Sequence, residues 1–185
     1  AYKMEEQIET RLSDGFSALK VQEVQSAVIA GMGGNLVIRI LEEGHDVVSC
    51  LKECILQPQS EPDKVRAFLL QEGFFFIEED MVEEDGKYYP MFRCVPCADN
   101  SAWDNMDETT VTVCDLYGPV LIKNGNPVLR KFLVREHHKL AAIMQQLRTQ
   151  DMSDSIMDRI EQINEMMAYN EAAYSTMGAI RNAGI

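Results

Sequence analysis

The chain has 185 residues, 46% of them apolar, and a formal net charge of −13. That length suits one ordinary domain with an appendage, and the apolar share allows a sizeable core. The charge opposes simple polyanion binding unless cations are segregated locally. No run approaches the ~18 apolar residues of a membrane span, and no secretory signal pattern opens the chain.

Residues 6–11 alternate in part and predict a strand, and Leu12-Ser13-Asp14-Gly15-Phe16 predicts a turn. Residues 17–25 predict a short helix with a loop. The stretch 26–41 organises the rest. Residues 27–30 form a short apolar run of the kind seen in a buried strand. Gly31-Met32-Gly33-Gly34 follows, and glycines there let the backbone turn sharply and let a ligand approach closely. Leu36, Val37, Ile40 and Leu41 then repeat at helical spacing. Strand, glycine loop and helix mark the ligand-binding end of an open α/β sheet, so a ligand is expected near residues 31–35. A dinucleotide site is disfavoured. Gly31 and Gly33 fit G-x-G-x-x-G, but Leu36 takes the third position and the next apolar run ends in Gln57 rather than an acid. A tight turn with no ligand is the plain alternative.

The helix after the glycines is predicted to reach residue 43, with Gly44 just past its end. Residues 51–57 predict a strand closed by Pro58. Residues 62–72 predict a helix with Val65, Phe68 and Leu69 inward and Gly73 ending it. Strands at 74–82 and 87–95 flank Glu83-Glu84-Asp85-Gly86, a hairpin turn sequence. The order β, α, β, α, β, α, β, β implies the second half of a doubly wound α/β sheet, parallel except for an antiparallel edge.

Five cysteines leave one unpaired in any internal disulfide scheme, which favours a reducing compartment. Cys94 and Cys97 have C-x-x-C spacing without a second such pair, so bland reduced thiols are expected and no metal site. Residues 98–107 read as irregular and Gly118-Pro119 as a turn. From Pro127 the pattern changes. Leu129, Leu133, Leu140, Met144 and Leu147 form one helical stripe. Ile156, Ile160, Ile163, Met167, Tyr174 and Met177 form a second, with Asn170 filling its gap. Ser153 is a candidate N-cap after a short polar break, so the two helices should fold back as an antiparallel pair. The expected organisation is an α/β part over 1–97, a linker and turn region over 98–126, and a helical hairpin over 127–185.

Lys123, Arg130, Lys131, Arg135, Lys139 and Arg148 concentrate positive charge on and before the first of these helices, with Glu136 the only acid among them. Lys131, Arg135 and Lys139 follow at i, i+4 spacing and share a face expected to be free for a partner. A solvated helix face is the alternative. The second helix is long and acidic and is expected to be able to pack on a second copy.

Several blocks in order carry a resemblance: Leu12-Ser13-Asp14-Gly15-Phe16, Val28-Ile29-Ala30-Gly31-Met32-Gly33-Gly34, Ile55-Leu56-Gln57-Pro58-Gln59, Glu83-Glu84-Asp85-Gly86-Lys87-Tyr88-Tyr89, and Gly118-Pro119 before the basic helix. Together they resemble the bacterial tRNA adenine-22 N1-methyltransferase family, TrmK, over nearly the whole chain. The resemblance implies an incomplete class I methyltransferase (Rossmann-like) sheet with a C-terminal helical pair. It also implies that the family's first glycine loop lies upstream of Ala1. The chain then reads as the C-terminal part of such an enzyme, inactive alone. Gln59 stands where the family usually has Asn, and Pro90 where it usually has Glu.

By the resemblance, the cofactor is S-adenosyl-L-methionine, the partner is tRNA, and the setting is the cytoplasm, with no membrane and with a homodimer through the hairpin allowed. Gly31, Met32, Gly33 and Gly34 would form the wall at which methyl transfer occurs. Asp14, Gly15, Ala30 and Gly31 would contact the cofactor. Gln57, Pro58, Gln59, Lys87 and Tyr89 would contact the substrate base and its surroundings, and Lys131, Arg135 and Lys139 the tRNA backbone. Adenine N1 carries its own lone pair, so the site needs alignment rather than a strong base. A turn role for Asp14 and a capping role for Gln57 and Gln59 stay open. The competing function is a non-catalytic binding or oligomerisation module.

Overall fold

The computed structural model describes residues 7–96, 106–151 and 153–177. Among these, one sheet has the strand order β1-β2-β4-β3. Its strands are β1 (Ser26–Gly33), β2 (Glu53–Ser60), β3 (Phe74–Glu84) and β4 (Lys87–Pro96). β1 and β2 are parallel and are joined by α1 (Gly34–Glu43) and the single-turn α2 (His45–Val48). α3 (Pro62–Gln71) then leads to β3. β4 is antiparallel to both β3 and β2, so the hairpin inserts its second strand between β2 and β3. Asp85 (φ 50°) and Gly86 (φ 71°) make the expected two-residue turn, with positive φ at both central positions.

The core of this part lies between the sheet and its helices. Val37, Leu41, Val65 and Leu69 meet Leu56, Phe76 and Phe92 there, all buried. Each such side chain contributes about 1.5–3 kcal/mol by leaving water. Leu36, expected on the inner face, is instead partly exposed.

Several expectations change. Residues 7–11 are not a strand, and residue 6 lies outside the described residues. Residues 17–25 form successive turns rather than a helix, with Leu19 N–H bonded to Phe16 C=O (2.9 Å) and Glu23 N–H to Lys20 C=O (3.0 Å). Gln22 sits at φ 65°, which a right-handed helix does not admit. Phe16 is drawn into the core, and Gly44 makes room for it. A Cβ on Gly44 would lie 2.5 Å from the Phe16 ring, so this glycine answers a close approach and not a left-handed cap, its φ being −94°. Pro58 lies inside β2, not at its end. β4 pairs with β2 only over Cys54–Leu56, so the missing proline N–H breaks no bond of that pairing.

The expected linker is also different. Residues 97–105, and with them Cys97, lie outside the described residues, but the remainder is helical: α4 (Glu108–Tyr117) and α5 (Pro119–Lys123). Val113, Tyr117, Leu121 and Ile122 from these helices share a buried cluster with Leu129, Leu133, Ala173 and with Met81 of β3. α6 (Pro127–Leu147) starts at Asn126, whose side chain accepts from Val128 and Leu129 N–H. α7 (Asp154–Thr176) starts at Ser153, as expected.

The stripe on α6 is buried throughout. On α7, Ile163 and Asn170 are buried, but Ala173 takes the place assigned to Tyr174, which turns outward. The gaps in the two stripes meet. Asn170 Nδ2 donates to Glu136 Oε2 (3.0 Å) and to Leu133 C=O (3.0 Å), and Tyr117 O–H donates to Glu136 Oε2 (2.7 Å).

One buried ion pair ties the sheet to the helical region. Arg66 of α3, 1% exposed, donates to Glu79 Oε1 of β3 (2.8 Å) and to Asp115 C=O of α4 (2.9 Å). Glu79 Oε2 accepts from Val120 N–H (2.8 Å) at the start of α5. Glu79 belongs to the acidic run Glu78-Glu79-Asp80, yet it is buried. The Arg66 guanidinium also lies 5.2 Å from the Phe92 ring centre.

Candidate active site

The C-terminal ends of β1 and β2 lie side by side at one end of the sheet, where open α/β sheets take ligands. β1 does not end cleanly. Its register with β2 slips between Ala30 and Met32, at Gly31, whose φ is +77°. Only glycine holds that conformation without strain. Gly31 N–H, left out of the ladder, donates to Gln57 Oε1 (2.9 Å). One side-chain amide therefore fixes the bulge, and its position is fixed in return.

The other end of that amide is unsatisfied. Gln57 Nε2 is buried and has no hydrogen-bond partner among the described residues. A buried unpaired donor costs about 1–3 kcal/mol, so an acceptor brought there gains that much in binding. The space beside Gly31 is open. A Cβ there would meet only Gln59 Nε2, at 3.8 Å. Gln57 and Gln59 thus bracket the bulge.

The other glycines have separate reasons. Gly34 opens α1 against β2, and a Cβ on it would lie 2.7 Å from Ser60 C=O. Gly33 has φ −68° and ψ 149°, ordinary extended values, so no dihedral constraint applies to it. Met32 pairs with Pro58 and is partly exposed. Glu61, which sequence reasoning passed over, closes the far side. It is left-handed (φ 52°) although Pro62 follows, and residues before proline normally extend. Asn35 Nδ2 donates to Glu61 Oε2 (2.7 Å), and Lys64 pairs with its other oxygen. The Lys64 ammonium holds the Glu61 carboxyl below its usual range.

Asp14 and Gly15 stand beside α1 rather than after a strand. Asp14 Oδ1 is 3.6 Å from Arg39 Nη2 and is largely exposed. Gly15 (φ +55°) packs on Ile40. Tyr89 and Lys87 lie on β4. There they pair with Val82 and Glu84 of β3, beyond the stretch over which β4 pairs with β2.

The basic face is not left free. Lys131 Nζ lies 3.3 Å from Glu83 Oε2, and Arg135 Nη1 donates to Gly86 C=O (2.6 Å) with its guanidinium 5.7 Å from the Tyr88 ring centre. Two of the three cations expected for a partner hold the hairpin tip, and Lys139 alone stays exposed without a described pair. Cys94 sits opposite Cys54 in the buried sheet, and burial pushes the Cys114 thiol up to about 12. No helix among the described residues is long and apolar enough to cross a membrane.

A Rossmann-like sheet with its glycine bulge at the carboxyl edge, extended by an antiparallel hairpin and a helical pair, belongs to the α/β class that takes its ligand at that edge. Within that class, a family model described as TrmK, tRNA (adenine(22)-N(1))-methyltransferase, matches residues 1–171, and the chain belongs to this family. It is 30% identical over 167 residues to the tRNA (adenine(22)-N(1))-methyltransferase of Bacillus subtilis, covering 86% of this chain and 69% of that protein. The crystal structure of B. subtilis TrmK superposes with a TM-score of 0.75 at 28% identity, over 89% of this chain and 69% of that one. A predicted tRNA (m1A22) methyltransferase of Streptococcus pneumoniae, in complex with S-adenosyl-L-methionine, superposes with a TM-score of 0.63 at 30% identity, over 85% and 67%.

Proposed function

We propose that this chain acts in S-adenosylmethionine-dependent methylation of adenine N1 at position 22 of tRNA. The observation that carries the reading is the Gly31 bulge locked by Gln57, with Gln57 Nε2 left as an unpaired donor at the ligand end of the sheet. S-adenosylmethionine, when bound, supplies an electrophilic methyl group. The open face beside Gly31 and the exposed Asp14 carboxylate suit such a cofactor, and Asp14, Gly15, Ala30 and Gly31 would hold it.

The residues here would orient the base. Gln57 Nε2 can donate to a ring nitrogen of the adenine other than N1, which fixes the plane of the base against the Gly31–Gly34 wall. Adenine N1 carries its own lone pair, so no residue here would have to remove a proton before the methyl group is transferred. Positioning supplies the rate, as it does wherever two reactants are held in line. Gln59, Pro58, Tyr89 and Lys87 extend the same edge toward the rest of the substrate. Lys139, with Lys131 and Arg135 after they exchange their hairpin partners, would take phosphates. In this reading the α/β part over 1–97 carries the chemistry and the hairpin over 127–185 the tRNA contacts, and a tRNA substrate puts the work in the cytoplasm.

A pairing of two copies through α7 is a second reading, favoured by the exposed Met157. Light scattering of the purified chain tests it.

The methylation reading is tested in cells. Gln57→Leu is introduced into the gene that encodes this chain, and the tRNA pool is digested and analysed by mass spectrometry. N1-methyladenosine at position 22 should fall at least tenfold, in line with the ~1.4 kcal/mol per decade of a lost hydrogen bond. Unchanged modification would refute the role of Gln57, and modification that survives deletion of the gene would refute the function.

A further inference from the structure

The outer side of the helical pair carries a groove that the methyl-transfer site does not use. A depression of about 300 Å³ lies between α6 and α7 and runs into a wider one of about 540 Å³ beside the start of α6. Both are bordered by Val134, His138 and Tyr174. The volume falls at the small end of the ~300–1,000 Å³ range of ligand clefts.

Tyr174 is the unusual member. Heptad spacing would bury it, yet Ala173 fills the seam and Tyr174 is 42% exposed. The Arg130 guanidinium lies over its ring, 5.0 Å from the ring centre. Val134, 41% exposed, forms an apolar floor. Arg130 has no ion pair among the described residues, and Glu171 is the only acid lining the two depressions, against Arg130, Lys131 and Arg135. Lys131 keeps 66% of its side chain exposed while it reaches Glu83. In a chain of net charge −13, this local excess of cations calls for an anion.

An exposed aromatic face beside arginine and lysine is the arrangement that receives unpaired nucleotides. The base stacks on the ring and the phosphate goes to the cation. A duplex offers no free base face, and an acidic peptide would use the cations but not the ring. We propose that this groove binds one unpaired nucleotide of an RNA, its base on Tyr174 and its phosphate on Arg130 and Lys131, away from the base that is methylated. On binding, Arg130 leaves the ring and turns to the phosphate. The proposal rests on the RNA-substrate reading above, and it adds a second, non-reacting nucleotide to it.

The test uses fluorescence anisotropy with the purified chain and two labelled probes, a short single-stranded oligoadenylate and a blunt-ended two-strand RNA duplex. Tyr174→Leu keeps apolar bulk on an exposed position but removes the ring. It should weaken single-strand binding about tenfold, within the range of ~1–3 kcal/mol per stacked base, and leave duplex binding nearly unchanged. Tyr174→Phe should bind as the wild type does. Arg130→Gln should lower the salt slope of single-strand binding by about 0.7. Arg159→Gln, elsewhere on α7, should change neither probe. Equal single-strand binding by wild type and Tyr174→Leu overturns the proposal. So does displacement of the oligoadenylate by an equal charge of oligoglutamate, which would make the site a peptide groove. The cellular N1-methyladenosine measurement reports the methylation reading separately. If Gln57 still governs modification while Tyr174→Leu binds normally, only this inference fails.

Discussion

Gly118→Ala tests the joint between the sheet and the helices. Gly118 sits between α4 and α5 at φ +88°, a conformation that costs an alanine about 1–3 kcal/mol. The contact is the larger effect. A Cβ there would lie 2.7 Å from both carboxylate oxygens of Glu79 and 2.9 Å from Arg66 Nη2, well inside van der Waals distance. Either the pair or the loop must move. If the pair separates, a buried charge loses its partner, which costs about 3–5 kcal/mol. If the loop moves, the bonds from Val120 and Leu121 N–H to Glu79 are lost instead, at about 1.5–3 kcal/mol each for bonds to a charged group. Either way Gly118→Ala should lose about 4 kcal/mol or more, a large part of the ~5–15 kcal/mol that holds a domain together. Urea unfolding followed by circular dichroism measures it. Gly86→Ala is the control. Its φ is +71°, but its nearest neighbour would be Arg135 Nη1 at an ordinary 3.7 Å, so it should lose only about 1–2 kcal/mol. Equal losses at the two positions would refute the claim that Gly118 exists to clear the ion pair.

Asp115 is the pH-sensitive group beside that joint. Burial raises its carboxyl from 3.8 to about 6, partly offset by Arg66, so the folded state resists its ionisation. Stability should therefore fall as pH rises from below 3.8 through about 6, and Asp115→Asn should remove that slope and gain about 1 kcal/mol at neutral pH after allowance for its partial exposure, as read by urea midpoints across pH. At the glycine bulge, Gly31→Ala should lower the melting temperature by several degrees more than Gly33→Ala, because only Gly31 has positive φ, and calorimetry showing the reverse order would remove the bulge from the argument. Asn170→Leu should cost about 1–3 kcal/mol by stripping Leu133 C=O and Glu136 of a donor, and adding Glu136→Leu should cost less than the sum of the two single changes.

What the sequence could show was set by the range of each interaction. The hairpin was legible because Asp85-Gly86 encodes its own turn. The buried stripe of α6 was legible because helical spacing is local, and the Asn170 gap was visible because a polar residue interrupts an apolar period. Its partner Glu136 was not singled out as such, since it reads equally well as one acid among surface cations. The insertion of β4 between β2 and β3 leaves no local mark, because strand order depends on contacts far apart in the chain. The ion pair was hidden for a related reason. Arg66 lies on a helix that looks amphipathic without it, and Glu79 lies in the run Glu78-Glu79-Asp80, where burial of one acid cannot be told from exposure of all three. The one sequence signal was Gly118, read as a plain turn. The glycine loop was partly legible. Its place at the sheet edge followed from the strand before and the helix after, but three glycines look alike in a sequence, and only the structure separates Gly31, held by its φ, from Gly34, pressed on the β2 backbone, and from Gly33, which has an ordinary φ and meets only the Ser60 hydroxyl. Tyr174 shows the opposite error. Apolar period favoured burying the larger of two adjacent residues, while the packed seam accepted only Ala173 and left the ring to Arg130. A position that departs from its own period in this way is where a binding role is best sought, because packing does not explain why the residue is aromatic.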